Sequence, residues 1–461
     1  MHEQKPMETH LIPVQDKFII YRPLLKLAFI GNRAMADLAL QVADTQAGGK
    51  LQGPPEALAF LRSTGFTAPD PTPPPTLDPQ AAFHPTSAAL LMTGRCNLRC
   101  IYCYAHGGEK GGPDLPLPAA TAVIDAVCAN ALALGQADFE VTFHGGGEPT
   151  LAWETLKAAA AYARRCKLPA RLNLVSNGVW NQPQREWVVG NLDGLTISMD
   201  GGRETQDRQR PFPSGKGSFE AVMQTLGFLE QVRFGYGIRV TATPERFAEL
   251  PADVDFFCRK TGCQSIHIEP AFASQRGAHH APDPAQAQAF SEAFLAAYDI
   301  AHAAGRTLFY SGARPWLLSN SFCTAPLGGG LTVNPGGEIV ACYEITDRDH
   351  PLAEASTFGR WGSDPVTLQV DENARRAFVQ RIADRRAVCR DCFAYWHCAG
   401  DCYTRAFPVE NALPGQPYAR CAVNQAITAG LLLRYIAEGG GVYRGPAIDP
   451  GNYREIQIPI Q

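Results

Sequence analysis

Six short apolar or β-branched runs alternate with longer helix-like segments between residues 88 and 305, and this alternation constrains the fold more than any other feature. The strand candidates occupy residues 88–92, 139–145, 172–176, 194–200, 237–243 and 265–272. Strands that alternate with helical segments form βαβ units, whose strands pair in parallel. Six repeats are fewer than the eight of a closed barrel. We therefore predict an α/β fold with a partial (β/α)6 TIM-like barrel, whose functional residues gather at the carboxyl ends of the strands.

The rest of the chain divides around this barrel, which we place at residues 86–310. Residues 1–66 read as a small α+β unit of two strands followed by two helices. Residues 67–85 are rich in proline, which favours extended backbone, so they form a linker. The proportion of glycine, proline and cysteine is higher in residues 311–440, which predicts a loop-rich domain that needs internal cross-links or bound metal to be stable. Residues 441–461 are predicted to form a polar tail.

The charge and hydropathy of the chain exclude some partners. The net charge is −4, so there is no basic surface for a phosphate backbone, and we expect no nucleic-acid partner. No stretch approaches the ~20 apolar residues that cross a bilayer, and the first residues lack the apolar core of a signal peptide. These features predict a cytoplasmic protein with no membrane partner.

The 14 cysteines need a separate explanation, because a reducing compartment disfavours structural disulfides. Ten of them fall into two patterned groups. The other four stand singly in or beside predicted helices, where a cysteine is usually a small buried hydrophobe. These four are Cys128, Cys166, Cys258 and Cys263.

The first group is C-x3-C-x2-C, formed by Cys96, Cys100 and Cys103 directly after the first barrel strand. A structural zinc site would normally close four ligands with CxxC pairs, and a disulfide would leave one cysteine over. An iron–sulfur cluster held by three thiolates leaves one iron open to a non-protein ligand. The spacing and the position after a strand favour the cluster.

The second group has seven cysteines within about 100 residues. Two structural zinc sites would need roughly eight ligands, and two iron–sulfur clusters are the other interpretation. The seven are Cys323, Cys342, Cys389, Cys392, Cys398, Cys402 and Cys421.

The first group resembles the hallmark loop of the radical S-adenosylmethionine (SAM) enzymes, in which an aromatic residue, here Tyr102, precedes the third cysteine. The resemblance implies a [4Fe-4S] cluster whose open iron binds SAM, and reductive cleavage of SAM to a 5′-deoxyadenosyl radical. It also implies that Gly146, Gly147 and Glu148, which follow the second strand, hold the SAM amino group.

The third and fourth strands end in short polar segments that suit a ribose or a methionine carboxylate. These segments supply Ser176 and Asn177, and the resemblance places Ser198 and Asp200 at the SAM or substrate pocket, with Asp200 as a catalytic candidate. Arg210 is the candidate for a carboxylate contact. Strand-end capping and a solvated charge run are the structural alternatives. His144 and His267 read as hydrogen-bonded structural histidines.

The second group resembles the SPASM domain, an extension of radical SAM enzymes that modify peptides. The resemblance assigns a far auxiliary [4Fe-4S] cluster to Cys389, Cys392, Cys398 and Cys421. It assigns a near auxiliary cluster to Cys323, Cys342 and Cys402, which gives three clusters in all. The near cluster lacks a fourth cysteine that some relatives carry. Its fourth iron is then open to substrate, or is held by Cys263, Cys258 or a non-cysteine side chain.

These resemblances imply a ribosomally made precursor peptide as substrate and a one-electron donor such as flavodoxin or ferredoxin. Formation of a thioether or of a C–C or C–O crosslink is the favoured reaction. Anaerobic sulfatase maturation, which forms formylglycine, is the alternative, and an iron–sulfur electron carrier or redox sensor is the non-enzymatic one. Residues 1–66 loosely resemble PqqD-like domains, which bind a leader peptide at a sheet edge; a plain cap on the barrel is the other interpretation.

Overall fold

The fold is described from a computed structural model of the chain. The described residues are 7–44, 52–109, 111–272, 276, 282–363, 366–406 and 420–445.

The N-terminal unit contains three antiparallel strands followed by two helices, one strand more than the sequence predicts. The strands are β1 (His10–Val14), β2 (Lys17–Arg22) and β3 (Leu27–Gly31), and the helices are α1 (Arg33–Asp44) and α2 (Pro55–Ser63). The first strand contains Pro13, and a proline within an apolar run argues against a strand unless the strand lies at a sheet edge. β1 is such an edge strand.

Six parallel strands form the centre of the protein, as predicted. They are β4 (Ser87–Leu91), β5 (Phe139–His144), β6 (Ala170–Ser176), β7 (Gly194–Ser198), β8 (Gly237–Ala242) and β9 (Ser265–Pro270). Buried apolar side chains of these strands and of the surrounding helices form one continuous core. The helices are α3 (Leu117–Ala133), α4 (Trp153–Ala163), α5 (Gln182–Asn191), α6 (Arg203–Gln209), α7 (Phe219–Gln231), α8 (Leu250–Lys260) and α9 (Pro284–Ala303).

Local sequence explains where several of these helices begin. The side chain of Asn181 accepts a hydrogen bond from the backbone of Gln184, whose own side chain bonds back, and this capping box starts α5. Asp283 and Gln286 form the same arrangement at the start of α9. Fixed helix starts set the lengths of the loops that follow the strands, and these loops carry the polar residues of the site.

The C-terminal region contains more regular structure than the loop-rich domain that the sequence predicts. Its strands are β10 (Thr307–Phe309), β11 (Leu331–Val333), β12 (Glu338–Val340), β13 (Thr357–Ser363) and β14 (Val366–Val370). Its helices are α10 (Ala353–Ser356), α11 (Glu372–Val388), α12 (Tyr395–Cys398), α13 (Tyr403–Ala406) and α14 (Cys421–Glu438). Three of the five strands have only three residues, too few for an alternating pattern to be detected.

These strands extend the central sheet on both sides. β10 pairs in parallel with β9, and β11 pairs in parallel with β4, beyond which β12, β13 and β14 follow in antiparallel order. Among the described strands, β10 and β14 form the two edges of an open sheet. The predicted α/β class with a partial barrel and a C-terminal extension is confirmed.

The predicted C-terminal tail needs a correction at its start. Val442–Arg444 form a further strand, β15, which pairs antiparallel with β3 and completes a sheet in the order β1-β2-β3-β15. Helix α14 packs Leu432 and Ile436 against the same sheet. The N-terminal unit is therefore built onto the C-terminal region. Residues 446–461 of the predicted tail lie outside the described residues.

Among the helices within the described residues, none combines the length and apolarity that a bilayer-spanning helix requires.

Candidate functional site at the carboxyl edge of the barrel

The first cysteine loop, residues 94–108, begins three residues after β4 ends and is closed by a hydrogen bond from Gly108 N to Gly94 O of 2.8 Å. Two guanidinium groups hold its interior. Arg99 donates to the carbonyl oxygens of Cys96 (2.9 Å) and Gly108 (2.6 Å), and Arg276 donates to Cys100 O at 2.7 Å. These bonds fix the backbone that carries the thiols.

The three thiols of this loop lie close enough to influence one another. Burial raises the pKa of Cys100 to about 12; Arg210 opposes the rise, and Cys103 and Cys96 add to it. Burial likewise raises the pKa of Cys96 to about 11. The thiolate is the form that binds metal, so cationic iron is needed to offset the cost of charging these groups. Three convergent thiols with this preference fit a cluster that takes three protein ligands.

The glycine-rich segment after β5 packs directly on the first cysteine loop. Gly147 N donates to Thr93 O and Glu148 N donates to Arg95 O, each at 2.8 Å. A Cβ on Gly147 would stand 2.0 Å from Arg95 O, and one on Gly146 would stand 2.4 Å from Thr346 Cγ2. Glycine at both positions therefore lets this backbone lie directly against the neighbouring segments.

The Glu148 carboxylate is buried and bonded to the next strand end. Its Oε1 accepts from Ser176 Oγ and Thr150 Oγ1, both at 2.7 Å, and from Thr150 N at 3.2 Å. Its Oε2 accepts from Asn177 N at 2.8 Å. Burial raises the pKa of Glu148, and these hydrogen bonds oppose the rise. Ser176 and Asn177 thus orient Glu148 within the protein.

Asn177 also contacts the cysteine loop. Its Nδ2 donates to Asn97 Oδ1 at 2.7 Å and lies 3.9 Å from Cys96 Sγ. Asn177, a predicted SAM contact from the third strand end, therefore lies beside the first cysteine of the loop.

Asp200 lies just beyond β7, and its side chain is buried within a hydrogen-bonded network. Its Oδ2 accepts from Tyr102 Oη at 2.5 Å and from Gln209 Nε2 at 2.8 Å, and pairs with Arg210 Nε at 3.0 Å. Its Oδ1 accepts from Thr241 N at 2.9 Å. The aromatic residue of the cysteine motif is thereby tied to the fourth strand end, and Asp200 is engaged on both oxygens.

Arg210 connects this network to the cluster loop. Its guanidinium lies over the Tyr102 ring, 5.4 Å from the centroid, and its Nη1 is 3.9 Å from Cys100 Sγ. The carboxylate that it contacts is that of Asp200. Ser198, the last residue of β7, is half-buried.

The near auxiliary cysteines come together across a long stretch of sequence. Burial raises the pKa of Cys342, and the nearby charges of Cys402 and Cys323 raise it further. Thr404 Oγ1 lies 3.2 Å from Cys402 Sγ and 3.8 Å from Cys342 Sγ. The structure therefore places Cys402, which closes the C-x3-C pair, beside Cys323 and Cys342, where the prediction put it.

The far auxiliary cysteines also converge. Burial raises the pKa of Cys398 well above its ordinary value, and Cys421 and Cys389 add to the rise. Cys392 in turn raises the pKa of Cys389. Helix α14 supplies two donors to these sulfurs, Asn424 Nδ2 to Cys398 Sγ at 3.2 Å and Gln425 Nε2 to Cys392 Sγ at 3.4 Å. Hydrogen bonds to sulfur are a recognised way of tuning a cluster's potential.

Two of the candidates for the missing near ligand are placed elsewhere. Cys263 precedes β9 at the amino edge of the sheet, where it accepts from Thr261 Oγ1 at 3.2 Å and packs in the barrel core. Cys258 lies beside it, and both are influenced by Arg306. The interpretation that Cys263 or Cys258 completes the near cluster is wrong, because neither lies with Cys323, Cys342 and Cys402.

Among the described residues, no three His, Cys, Asp or Glu side chains converge at the spacing that a single metal ion needs. A mononuclear zinc site requires four such groups on one ion. Both cysteine groups match the donor chemistry of polynuclear iron–sulfur clusters.

Polar side chains that the sequence did not single out lie between the first cysteine loop and the near auxiliary site. The pKa of Tyr104 is raised by burial, by Glu344 and by Cys103, and Arg239 opposes the rise. Tyr343 stacks on His144 with ring centroids 4.9 Å apart. Arg239 occupies a half-buried position of β8 between the buried Ile238 and Val240, and a strand that alternates in this way gives its charged residue no special signal in the sequence.

A second buried network links the barrel to the auxiliary region. His267 Nε2 bonds to Glu269 Oε1 at 3.0 Å, and Arg420 Nη1 donates to Glu269 Oε2 at 3.2 Å. Arg420 also donates to both carboxylate oxygens of Asp401, from Nη2 to Oδ1 at 2.5 Å and from Nε to Oδ2 at 3.1 Å. In the sequence, Asp401 lies between Cys398 and Cys402. His267 is further stacked on Phe309, so it is hydrogen-bonded and packed as a structural histidine.

Comparison with known proteins agrees with this geometry. Residues 90–251 match the profile of the Radical SAM superfamily. This range spans the first cysteine loop, the glycine-rich segment and the strand ends that carry Asp200 and Arg210.

Three curated relatives resemble the chain over different lengths. Fe-coproporphyrin III synthase of Methanosarcina barkeri is 29% identical over 36% of this chain and 39% of its own length. The sporulation killing factor maturation protein SkfB of Bacillus subtilis is 29% identical over 39% of this chain and 41% of its own length. The serine-type anaerobic sulfatase-maturating enzyme of Klebsiella aerogenes is 24% identical over 67% of this chain and 76% of its own length. The chain thus spans about two fifths of the first two relatives.

Two solved structures share the fold. That of anSMEcpe with bound AdoMet and the Cp18Cys peptide has a TM-score of 0.58 at 16% identity and covers 77% of this chain and 98% of its own. The structure of Streptococcus suis SuiB bound to the precursor peptide SuiA has a TM-score of 0.51 at 12% identity. The match covers 90% of this chain and 98% of the SuiB chain. These similarities establish the fold, including its C-terminal extension.

Proposed function

We propose that the chain is a radical SAM enzyme, which cleaves SAM reductively and abstracts a hydrogen atom from a ribosomally made peptide. One observation carries the proposal: Cys96, Cys100 and Cys103 converge at the carboxyl edge of the barrel, directly against the glycine-rich segment that ends in Glu148. An electron carrier or redox sensor would need neither that segment nor a barrel around it.

We assign the three thiolates of the first cysteine loop to a [4Fe-4S] cluster. When bound, this cluster and SAM supply the one-electron cleavage that yields the 5′-deoxyadenosyl radical. The chain's own part is to hold the cluster geometry. Tyr102 and Arg210 tie the loop to Asp200, while Arg99 and Arg276 fix its carbonyl groups.

We assign the binding of the SAM amino group to the segment of Gly146, Gly147 and Glu148. Asn177 and Ser176 fix the Glu148 carboxylate by hydrogen bonds, so it is held in place before SAM binds. Such preorganisation reduces the ordering cost of binding. Ser198 and Arg210 remain candidates for contacts to SAM or to the substrate.

The auxiliary cysteines support an oxidative reaction. Formation of a crosslink from a carbon radical must remove one electron from the substrate, and two further [4Fe-4S] clusters would provide acceptors between the barrel and the surface. We propose the formation of a thioether or of a C–C or C–O crosslink, with flavodoxin or ferredoxin as the external one-electron donor.

The N-terminal unit remains a candidate for leader-peptide recognition. Among the described strands the sheet has two edges, β1 and the three-residue β15, and the longer edge at β1 is the one at which we propose that a peptide adds a strand. Pro13 removes one backbone donor from that edge. We propose that a leader pairs with the remaining groups of β1.

A second function, the oxidation of a serine or cysteine to formylglycine, is favoured by one specific observation. The sulfatase-maturating enzyme of Klebsiella aerogenes matches two thirds of this chain, a longer span than the match to SkfB. This alternative predicts an aldehyde in the product, whereas the crosslink does not.

Mass spectrometry of a candidate peptide distinguishes these reactions. The peptide encoded beside this gene, co-expressed with the enzyme, is expected to lose two hydrogen atoms and to resist labelling by a hydrazide reagent. Labelling by the hydrazide would instead establish the formylglycine reaction. An unchanged peptide from cells that contain cluster-loaded enzyme would contradict both reactions.

A further inference from the structure

The near auxiliary site has three cysteines, and the chain holds no fourth cysteine to complete it. Of the 14 cysteines, three belong to the first loop and seven to the C-terminal array. The other four are committed elsewhere: Cys128 and Cys166 influence each other beside α3 and α4, and Cys258 and Cys263 pack at the amino edge of the sheet. A fourth protein ligand must therefore be a residue of another type.

Glu344 lies in a tight turn that begins with one of the three cysteines. Ile345 N donates to Cys342 O at 3.1 Å, which closes the turn. Glu344 N lies 3.5 Å from Cys342 Sγ and donates to it. The turn therefore holds Glu344 beside the thiol of Cys342.

The neighbours of this turn fix its position between the two predicted cluster sites. Tyr343 stacks on His144 inside the barrel. Thr346 packs on Gly146, where an added Cβ would approach it to 2.4 Å. Residues on both sides of Glu344 are therefore held against the barrel, while Cys342 faces the near site.

The Glu344 carboxylate is buried, with an exposed fraction of 7%. The backbone of Glu344 lies 3.5 Å from the thiol of Cys342, and the hydroxyl of Thr404 lies 3.8 Å from that thiol and 3.2 Å from the thiol of Cys402. A buried carboxylate beside thiols that must become thiolates is unfavourable in a protein without metal. The arrangement becomes favourable when a cationic cluster binds all of these groups, because each anion then neutralises iron.

We propose that the carboxylate of Glu344 is the fourth protein ligand of the near auxiliary cluster, together with the thiolates of Cys323, Cys342 and Cys402. Binding releases the three thiol protons and displaces the small ligand that iron carries in solution, without oxidation or reduction. The inference rests on the proposed function only in that the near site holds a [4Fe-4S] cluster. A near cluster ligated in this way is closed to substrate and serves electron transfer.

The test uses the full chain with the first cluster removed by Cys96→Ala, Cys100→Ala and Cys103→Ala, so that only auxiliary clusters load. Glu344→Gln is added to this background, and iron content and the electron paramagnetic resonance spectrum of mildly oxidised protein are measured. We expect a [3Fe-4S] signal and the loss of about one iron per chain, because the iron without a protein ligand is the labile one. Glu344→Cys is expected to restore the iron and to abolish that signal.

Glu338→Gln is the matched control. Glu338 is a buried carboxylate of the same hairpin, with an exposed fraction of 7%, but it bonds to Asn334 and Arg348 rather than to thiols. We expect this variant to keep the iron content and the spectrum of its parent.

Two results would overturn the assignment. One is a Glu344→Gln variant with the iron content and spectrum of its parent. The other is a parent that loads no iron at the near site. Neither readout involves SAM, so a failure of SAM cleavage in the wild-type enzyme would contradict the proposed function while leaving the ligand assignment standing.

Discussion

At the scale of single residues, Asp200 is the position where the structure most changes the interpretation of the sequence. The sequence marks it as a catalytic candidate, and the structure surrounds it with Tyr102, Gln209, Thr241 and Arg210. Each oxygen of the carboxylate has protein partners. We therefore propose that Asp200 is a positioning residue for the first cysteine loop.

Asp200→Asn is expected to destabilise the protein by about 3 kcal/mol, because it leaves the buried Arg210 without its counter-charge. The measurement is the midpoint of urea unfolding followed by circular dichroism on protein without iron. Asp37→Asn is the control, since Asp37 pairs with Arg33 on an exposed helix face and such a pair is worth about 0.5 kcal/mol or less. Equal midpoints for the two variants would contradict the role of the buried pair.

His144 predicts a dependence of stability on pH. Burial, with the nearby charge of Arg239, lowers its pKa to about 4, below its ordinary value of 6.5. The unfolded chain therefore takes up this proton first as pH falls. The contribution is present in full above pH 6.5 and is lost as pH falls towards 4, at a cost of up to about 3 kcal/mol.

His144→Gln should weaken that dependence. We expect the difference in urea midpoint between pH 7.5 and pH 5.0 to be smaller in the variant than in the wild type. The same difference in both proteins would show that His144 is not buried in its neutral form.

The C-x3-C-x2-C spacing puts Cys96, Cys100 and Cys103 on one loop because the three are neighbours in sequence, whereas the grouping of Cys323, Cys342 and Cys402 follows from the resemblance to SPASM domains. Glu344, Arg239 and Arg420 could not be predicted in the same way. Each acts through neighbours from distant parts of the chain, as when Arg420 reaches Glu269 on β9. The signal for such residues is burial of a charge, which the sequence alone does not reveal.

At the scale of elements, the packing of the N-terminal sheet on α14 joins two ends of the chain that the sequence presents as separate. Ile12, Ile19 and Tyr21 pack with Leu432 and Ile436. The strong periodicity of the barrel strands made them predictable, whereas β15 has three residues and pairs with a strand more than 400 residues away. Removing residues 1–66 would expose this apolar face, so such a deletion would test stability as well as leader binding.

Leu432→Ala is expected to destabilise the protein by about 2–5 kcal/mol, because Leu432 is completely buried between α14 and the sheet. Leu134→Ala is the matched control, since Leu134 is 56% exposed and its truncation should change stability by less than about 0.5 kcal/mol. Limited proteolysis of residues 10–31 provides the readout: faster cleavage is expected in Leu432→Ala alone. Equal cleavage rates would show that α14 does not hold the N-terminal sheet.

At the scale of the whole molecule, the cysteines of the first loop, the near auxiliary cysteines and the far auxiliary cysteines lie in one connected structure. The turn of Cys342 to Ile345 lies against the barrel, and Arg420 joins Glu269 of the barrel to Asp401 of the auxiliary region. The far auxiliary cysteines lie beyond, under α14.

The production of 5′-deoxyadenosine tests the central claim most directly. Anaerobically reconstituted protein, supplied with dithionite and SAM, is expected to form 5′-deoxyadenosine, detected by liquid chromatography and mass spectrometry. Cys100→Ala should form none, while Cys128→Ala, which removes a buried cysteine outside both groups, should match the wild type. The absence of 5′-deoxyadenosine from iron-loaded wild-type protein, or equal amounts from Cys100→Ala, would contradict the account.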